Sequence, residues 1–138
     1  MKFVATIIVL IFSLNLKAEE CPLEGYWKSH EAKTLESLKA AKNVSDKHKQ
    51  LFENNFFGKL FMHIECDKFT AIMEDWQEVS KYTVIKASKE SVTIKYNSTL
   101  EGIVEREALI TGECYSLEIN NNQFREYFCP VTEKAYNE

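Results

Sequence analysis

Glycine, proline and histidine are scarce in this chain of 138 residues, which contains four glycines, two prolines and three histidines. A phosphate-binding loop needs closely spaced glycines so that the backbone can approach the phosphate, and no such loop is present. His30, His48 and His63 lack the spacing of a metal site, and no nucleophile elbow, H-E-x-x-H motif or calcium loop occurs. We therefore expect no metal, no cofactor and no catalytic residues, that is, a protein that is not an enzyme.

A long hydrophobic run occurs at the N-terminus. It extends from Phe3 to Leu14 after a basic start, and Ala18 follows as a small residue suited to cleavage. The run is too short to span a bilayer comfortably. We expect residues 1–18 to be a signal peptide and residues 19–138 to be one exported domain, secreted or periplasmic, with no membrane span after cleavage. An uncleaved anchor helix is the alternative.

Basic residues are outnumbered, with 17 Lys and Arg against 21 Asp and Glu. The predicted signal peptide carries Lys2 and Lys17 and no acid, so the exported domain has 15 basic and 21 acidic residues and a net charge of −6. An acidic domain is repelled by nucleic acid and by anionic membranes, which we exclude as main partners. About 120 residues suffice for one domain with a sizeable core.

Two short helices are predicted near the start of this domain. Leucines recur at helical spacing within residues 34–42. Ser45 is suited to cap a second helix, which runs to about Asn54 and buries Leu51 and Phe52.

From Phe57 onward the apolar period falls to two, and polar turns recur about every ten residues. With a first strand at Trp27, about eight short strands follow one another, which is the pattern of an all-β, eight-stranded up-and-down barrel with a helical pair between strands 1 and 2. The polar tail at residues 132–138 is expected to fray. The alternating apolar residues either line a ligand cavity or fill it, and the sequence leaves both open. They include Leu60, Met62, Ile64, Phe69, Met73, Tyr82, Ile94, Leu117 and Phe128.

All four cysteines lie in the predicted exported domain and lack C-x-x-C spacing, so two structural disulfides are expected. The last predicted hairpin turns at residues 121–122, so residues whose numbers sum to 243 face each other, as Cys114 and Cys129 do. Strand alternation brings Cys21 and Cys66 to the same barrel end. We favour Cys21–Cys66 with Cys114–Cys129, while Cys21–Cys129 with Cys66–Cys114 stays open.

Gly25 lets the chain enter the first strand at a tight corner, and Trp27 can plug a barrel end. Together with Arg125 in the last strand, they resemble the pattern of the calycins, the group of lipocalins and fatty-acid-binding proteins. The helical pair resembles the lid of the latter. The resemblance implies that Arg125 and Tyr127 bind a ligand head group. A structural role, with Arg125 bracing Trp27 or pairing with Glu118, is the favoured alternative, since structural ion pairs are commoner than sites.

Two functions follow as expectations. The first is an exported calycin-like protein that holds a small hydrophobic or amphipathic ligand in the barrel. The second is a protein-binding module, of the inhibitor or immunity type, in which a filled barrel is a rigid scaffold for an unidentified protein partner.

Overall fold

The computed structural model describes residues 21–119, 121 and 123–138. The predicted signal peptide, residues 1–18, and Asn122 of the predicted last turn lie outside these described residues. Eight antiparallel strands form a closed barrel in which each strand pairs with the next along the chain and the last pairs with the first. The predicted fold class is therefore confirmed. The strands are β1 (Gly25–Ser29), β2 (Phe61–Ile64), β3 (Lys68–Met73), β4 (Trp76–Ala87), β5 (Ser91–Ser98), β6 (Gly102–Thr111), β7 (Cys114–Ile119) and β8 (Phe124–Pro130).

Two helices lie between β1 and β2, as predicted. Ser45 caps the second helix, because its hydroxyl accepts a hydrogen bond from the amide of His48. The first helix begins before residue 34, because the side chain of His30 caps it by accepting from the amide of Lys33 at 3.2 Å. No helix in the described part of the chain is long and apolar enough to cross a bilayer. The helices are α1 (Glu31–Ala40), α2 (Asp46–Glu53) and a C-terminal α3 (Glu133–Asn137).

Two local expectations are wrong. Leu51 is 61% exposed rather than buried, because α2 packs through Phe52 instead. Residues 132–138 do not fray as a coil: they contain α3, and the ring of Tyr136 packs against Tyr26 at a centroid distance of 5.1 Å. Packing against an aromatic residue that is distant in sequence thus orders a segment whose composition is polar.

We call the barrel end at which β1 begins and β8 ends the closed end. Trp27 fills it: the indole N–H donates to the carbonyl oxygen of Leu23 at 2.9 Å, and the ring meets Tyr115 edge-on at 4.8 Å. Phe128, which is 1% exposed, stacks on the same tyrosine at 5.1 Å. Gly25 begins β1 with φ at +146°, a conformation that favours glycine.

Both disulfides lie at the closed end. Cys21 is bonded to Cys66 and Cys114 to Cys129, with Cα–Cα distances of 4.8 and 4.3 Å. This is the pairing that the sequence favoured, and facing residues in β7 and β8 have numbers that sum to 243. The bonds join positions 45 and 15 residues apart, so each restricts the unfolded chain and stabilises the fold.

We call the opposite end, where β1 ends and β8 begins, the open end. β1 stops at Ser29, so it does not pair with the first half of β8. Helix α1 takes that place: Thr34 Oγ1 accepts from the amide of Tyr127 at 3.0 Å, and Ser37 Oγ accepts from the amide of Arg125 at 2.9 Å. Two edge amides of β8 are thereby satisfied by helix side chains rather than by a strand.

A gap interrupts the wall of the open end between β6 and β7. Facing residues in this pair have numbers that sum to 225, and the pairing joins only residues 109–111 to 114–116. If the pairing of β6 with β7 continued in the same register, Glu107 would lie directly opposite Glu118. Like charges in such positions are destabilising. The guanidinium of Arg106 crosses the gap instead and donates to the carbonyl oxygen of Glu118 at 3.5 Å.

Candidate functional site

A central cavity of about 290 Å³ lies inside the barrel and extends from the apolar cluster of the closed end toward Trp76 and Ser98 at the open end. An apolar cavity of roughly 150 Å³ is enough to hold benzene, so this volume fits one small molecule. Of the apolar residues that the sequence assigned to the interior, Met73 does not line the cavity, being 40% exposed at the end of β3. The others all line it: Leu60, Met62, Ile64, Phe69, Tyr82, Ile94, Leu117 and Phe128.

Glu126 brings a carboxyl group onto the inner face of β8 and lines the cavity. The hydroxyl of Ser29 donates to its Oε1 at 2.7 Å, and the same hydroxyl accepts from the amide of Gly58 at 3.1 Å. Ser29 is 4% exposed. The carboxylate is therefore held by a buried group whose own orientation is fixed by the backbone that follows α2.

The surroundings of Glu126 disfavour its negative charge. Burial raises the pKa of Glu126 above its ordinary value, while the hydrogen bond from Ser29 and the positive charge of Arg106 act in the opposite direction. Burial, together with the charge of Glu126, also raises the pKa of Tyr115. The carboxylate thus lies where water solvates it poorly, and a cation placed beside it would stabilise it.

Two further charged side chains line the same cavity. Arg106, on β6, lies at the gap and contacts the carboxylate of Glu101 at 3.8 Å. Glu78, on β4, accepts a hydrogen bond from the hydroxyl of Thr99 at 3.2 Å. The cavity therefore has an apolar part toward the closed end and a polar part, with two carboxylates and one guanidinium, toward the open end.

Arg125 and Tyr127, the residues that the resemblance assigned to a head group, lie on the outer face of β8 beside α1. Side chains alternate along a strand, so the neighbours of the inward-facing Glu126 point away from the cavity. The Nε of Arg125 donates to Ser116 Oγ at 2.8 Å, and its terminal nitrogen donates to Ser116 O at 2.9 Å. Neither residue lines the central cavity.

The structural alternative for Arg125 also takes another form than expected. Arg125 does not brace Trp27, which points inward and packs on Tyr115. It stands opposite Glu118 in the strand register, yet no ion pair joins the two among the described residues. Its partner is Ser116, so Arg125 ties β8 to β7 through uncharged oxygens.

The sequence reasoning did not single out Glu126, Arg106 or Glu78. A signal was present for the first of them: the hairpin register puts Glu126 on one face with Phe124 and Phe128, and a charge on an apolar strand face is unusual enough to indicate a function or a partner. Arg106 and Glu78 carry no such signal, because their strands are long and partly exposed.

Only one group in the described part of the chain brings metal-ligating atoms together, and it consists of Cys21, Glu24 and Cys66. Its two sulfurs are bonded to each other, so they offer no thiolate to an ion.

Comparison with known proteins gave no match to a protein-family profile, a curated protein or a solved structure. The likeness to calycins therefore rests on architecture, namely the closed antiparallel barrel of eight strands with a helical pair between the first two.

Proposed function

We propose that this protein binds a small amphipathic molecule in its central cavity. The observation that carries the proposal is the cavity of about 290 Å³ itself, with an apolar wall at one side and Glu126, Glu78 and Arg106 at the other. Small-molecule sites are mostly apolar with a few polar groups that orient the ligand, and this lining has that composition. The calycin-like architecture, in which the barrel interior holds the ligand, supports the same function.

We place this function outside the cytoplasm, in a secreted or periplasmic protein. Its two disulfides are typical of proteins from oxidising compartments. The N-terminal hydrophobic run supports export by its sequence pattern.

The direct test is to fill the cavity and measure binding. Ala108 is 2% exposed and lines the cavity, so Ala108→Leu places a larger side chain inside it. Binding of 2-phenylethanol, followed by calorimetry or by NMR, is expected for the wild type and is expected to weaken at least about tenfold in this variant. Ala87→Leu makes the same change at an exposed position of β4 and serves as the matched control.

Two further measurements make the result decisive. Ala71→Leu fills the cavity from β3 and replaces Ala108→Leu if the latter does not fold. Native mass spectrometry of protein purified from its own compartment without detergent shows whether a small molecule is retained. Absence of binding of any small amphipathic probe to the wild type, with no retained molecule, would refute the proposal.

A scaffold that binds a protein partner is the second candidate, and exposed apolar side chains at the open end favour it. Leu100 is 88% exposed and Ile103 is 73% exposed, both in or next to the hairpin between β5 and β6. A photo-crosslinking residue placed at position 100 should then give one discrete protein adduct in the native compartment. The same residue at Lys89, which is exposed in the hairpin at the other barrel end, should give none.

A further inference from the structure

The charges of the cavity do not balance. Glu126 and Glu78 face one cation, Arg106, so the formal charge of the lining is −1. Arg106 is also engaged elsewhere: it lies 3.8 Å from the carboxylate of Glu101 and donates to the carbonyl oxygen of Glu118. The one positive charge is therefore shared between the cavity and the gap, and the two carboxylates outnumber it in the polar part of the cavity.

One oxygen of Glu126 is committed and the other is open to a ligand. Oε1 accepts the hydrogen bond from Ser29. Among the described residues, no side chain or backbone group donates to Oε2. A carboxylate that is held on one side and open on the other, in a partly desolvated position, is preorganised to accept a hydrogen bond from a cation.

The gap between β6 and β7 presents the same sign of charge. It opens into a surface cleft of about 530 Å³, and the cleft shares Arg106, Leu117 and Ile119 with the central cavity. Clefts lined by one sign of charge concentrate ligands of the other sign. The acidic side chains along the cleft are Glu101, Glu105, Glu107 and Glu118.

We propose that the ligand is a small cation, a protonated amine on an apolar body, whose ammonium group binds Glu126 while the apolar body lies against Phe69, Tyr82 and Phe128. This inference rests on the proposed function, because it names the ligand class of the same cavity. A carboxylate ligand is disfavoured by the same geometry, since its charge would lie beside Glu126 and Glu78. Arg106 is a single cation that also contacts Glu101, so it does not offset both carboxylates.

The test compares three probes of similar size on the wild-type protein, namely 2-phenylethylamine, 2-phenylethanol and 3-phenylpropionate. They carry a positive, a neutral and a negative group at neutral pH on the same apolar ring. A charge-assisted hydrogen bond contributes about 1.5–3 kcal/mol, so the amine is expected to bind roughly tenfold to a hundredfold more tightly than the alcohol. The propionate is expected to bind most weakly.

Substitution at Glu126 then tests whether its carboxylate is the group that binds the amine. Glu126→Gln keeps the side-chain shape and an acceptor for Ser29, and it should lower the affinity for the amine about tenfold while leaving that for the alcohol within about twofold. Glu113→Gln removes the same charge at an exposed turn between β6 and β7 and should change neither.

The outcomes separate the two proposals. If the alcohol binds and the amine binds no more tightly, or if Glu126→Gln leaves the preference for the amine unchanged, the inference about the cation is wrong and the binding function stands. If none of the three probes binds the folded wild type and native mass spectrometry finds no retained small molecule, both proposals fail. The comparison of probes needs no variant, so it remains informative even if Glu126→Gln does not fold.

Discussion

At the closed end of the barrel, β8 pairs with β1 and β6 pairs with β7. At the open end, α1 takes the place of β1 beside β8, and a gap separates β6 from β7. The closed end also holds both disulfides and the aromatic cluster around Trp27. The open end has the buried charge of Glu126 and most of the exposed apolar side chains. Features that stabilise the fold and features that cost stability are thus separated along the barrel axis, as expected if the open end is reserved for binding.

Removing an aromatic ring from each end gives the largest contrast. Phe128→Ala should lower the free energy of unfolding by about 3–5 kcal/mol, because it leaves a cavity beside Tyr115 in the closed end. Phe56→Ala, at a residue that is 53% exposed near the open end, should cost less than about 1 kcal/mol. Urea unfolding of both variants measures this. Equal losses would show that the two ends do not differ in stability.

The helix that replaces a strand can be tested at Thr34, which is fully buried. Thr34→Val keeps the shape and removes the acceptor of the Tyr127 amide, so about 2 kcal/mol of stability should be lost through an unsatisfied buried N–H. Thr93→Val on β5 is the control and should change stability by less than about 0.5 kcal/mol. If Thr34→Val is as harmless as the control, α1 is a loosely placed lid rather than part of the wall.

Substitution of Glu126 is expected to raise the free energy of unfolding rather than lower it, by a smaller amount that depends on pH. The pKa of Glu126 is raised in the folded state, so its charged form lowers the free energy of unfolding at pH values above that pKa. The wild type therefore becomes more stable as the pH falls from the folded-state pKa toward the ordinary pKa of 4.5. Glu126→Gln should therefore be more stable than the wild type by about 1 kcal/mol at pH 8. The charged or titratable groups that line the cavity with Glu126 are Glu78 and Tyr82 on β4, Tyr96 on β5, Arg106 on β6 and Tyr115 on β7. Of these, Arg106 acts on the pKa of Glu126.

Thermal unfolding of the wild type and Glu126→Gln across pH checks this prediction. The difference between the two proteins should shrink as the pH falls and vanish below the ordinary pKa of a glutamic acid, where both side chains are neutral. A variant that is less stable than the wild type at pH 8 would mean that the carboxylate stabilises the fold and would contradict the assignment of a strained, ligand-ready charge.

The smallest effect is expected at the rim of the open end. Leu100→Ser should change the free energy of unfolding by less than about 0.5 kcal/mol, because the side chain is 88% exposed and has little contact to lose. The same variant should be more soluble than the wild type. A loss above about 1 kcal/mol would indicate that Leu100 packs in solution and is not a free contact surface.

Local patterns were sufficient to predict the barrel, the position of the helical pair and the last hairpin. A strand alternates with a period of two wherever one face is buried, and a hairpin fixes its own register, so the facing of Cys114 and Cys129 could be deduced from numbering alone. The cap at Ser45 is equally local, since it involves an amide three residues away.

The candidate site required contacts between parts of the chain that lie far apart. Ser29 and Glu126 are separated by 97 positions, and nothing near either residue reveals that they meet. Arg125 shows the converse: it alternates with the inward-facing Glu126 and lies on the outer face of β8, a placement that the resemblance to calycins did not indicate. Alternation along a single strand was the stronger guide.

The amino-acid order determined which segments become strands and that Cys114 faces Cys129, because each depends on residues close in sequence or joined by one turn. The pairing of Cys21 with Cys66 was favoured by the sequence but decided only by the tertiary structure, since 45 positions and two helices separate these residues. The tertiary structure decided that the interior keeps a cavity, that α1 replaces a strand beside β8 and that a gap opens beside Arg106. Those outcomes depend on the volumes and charges of side chains from all eight strands together, and the pattern within one strand does not show their combined effect.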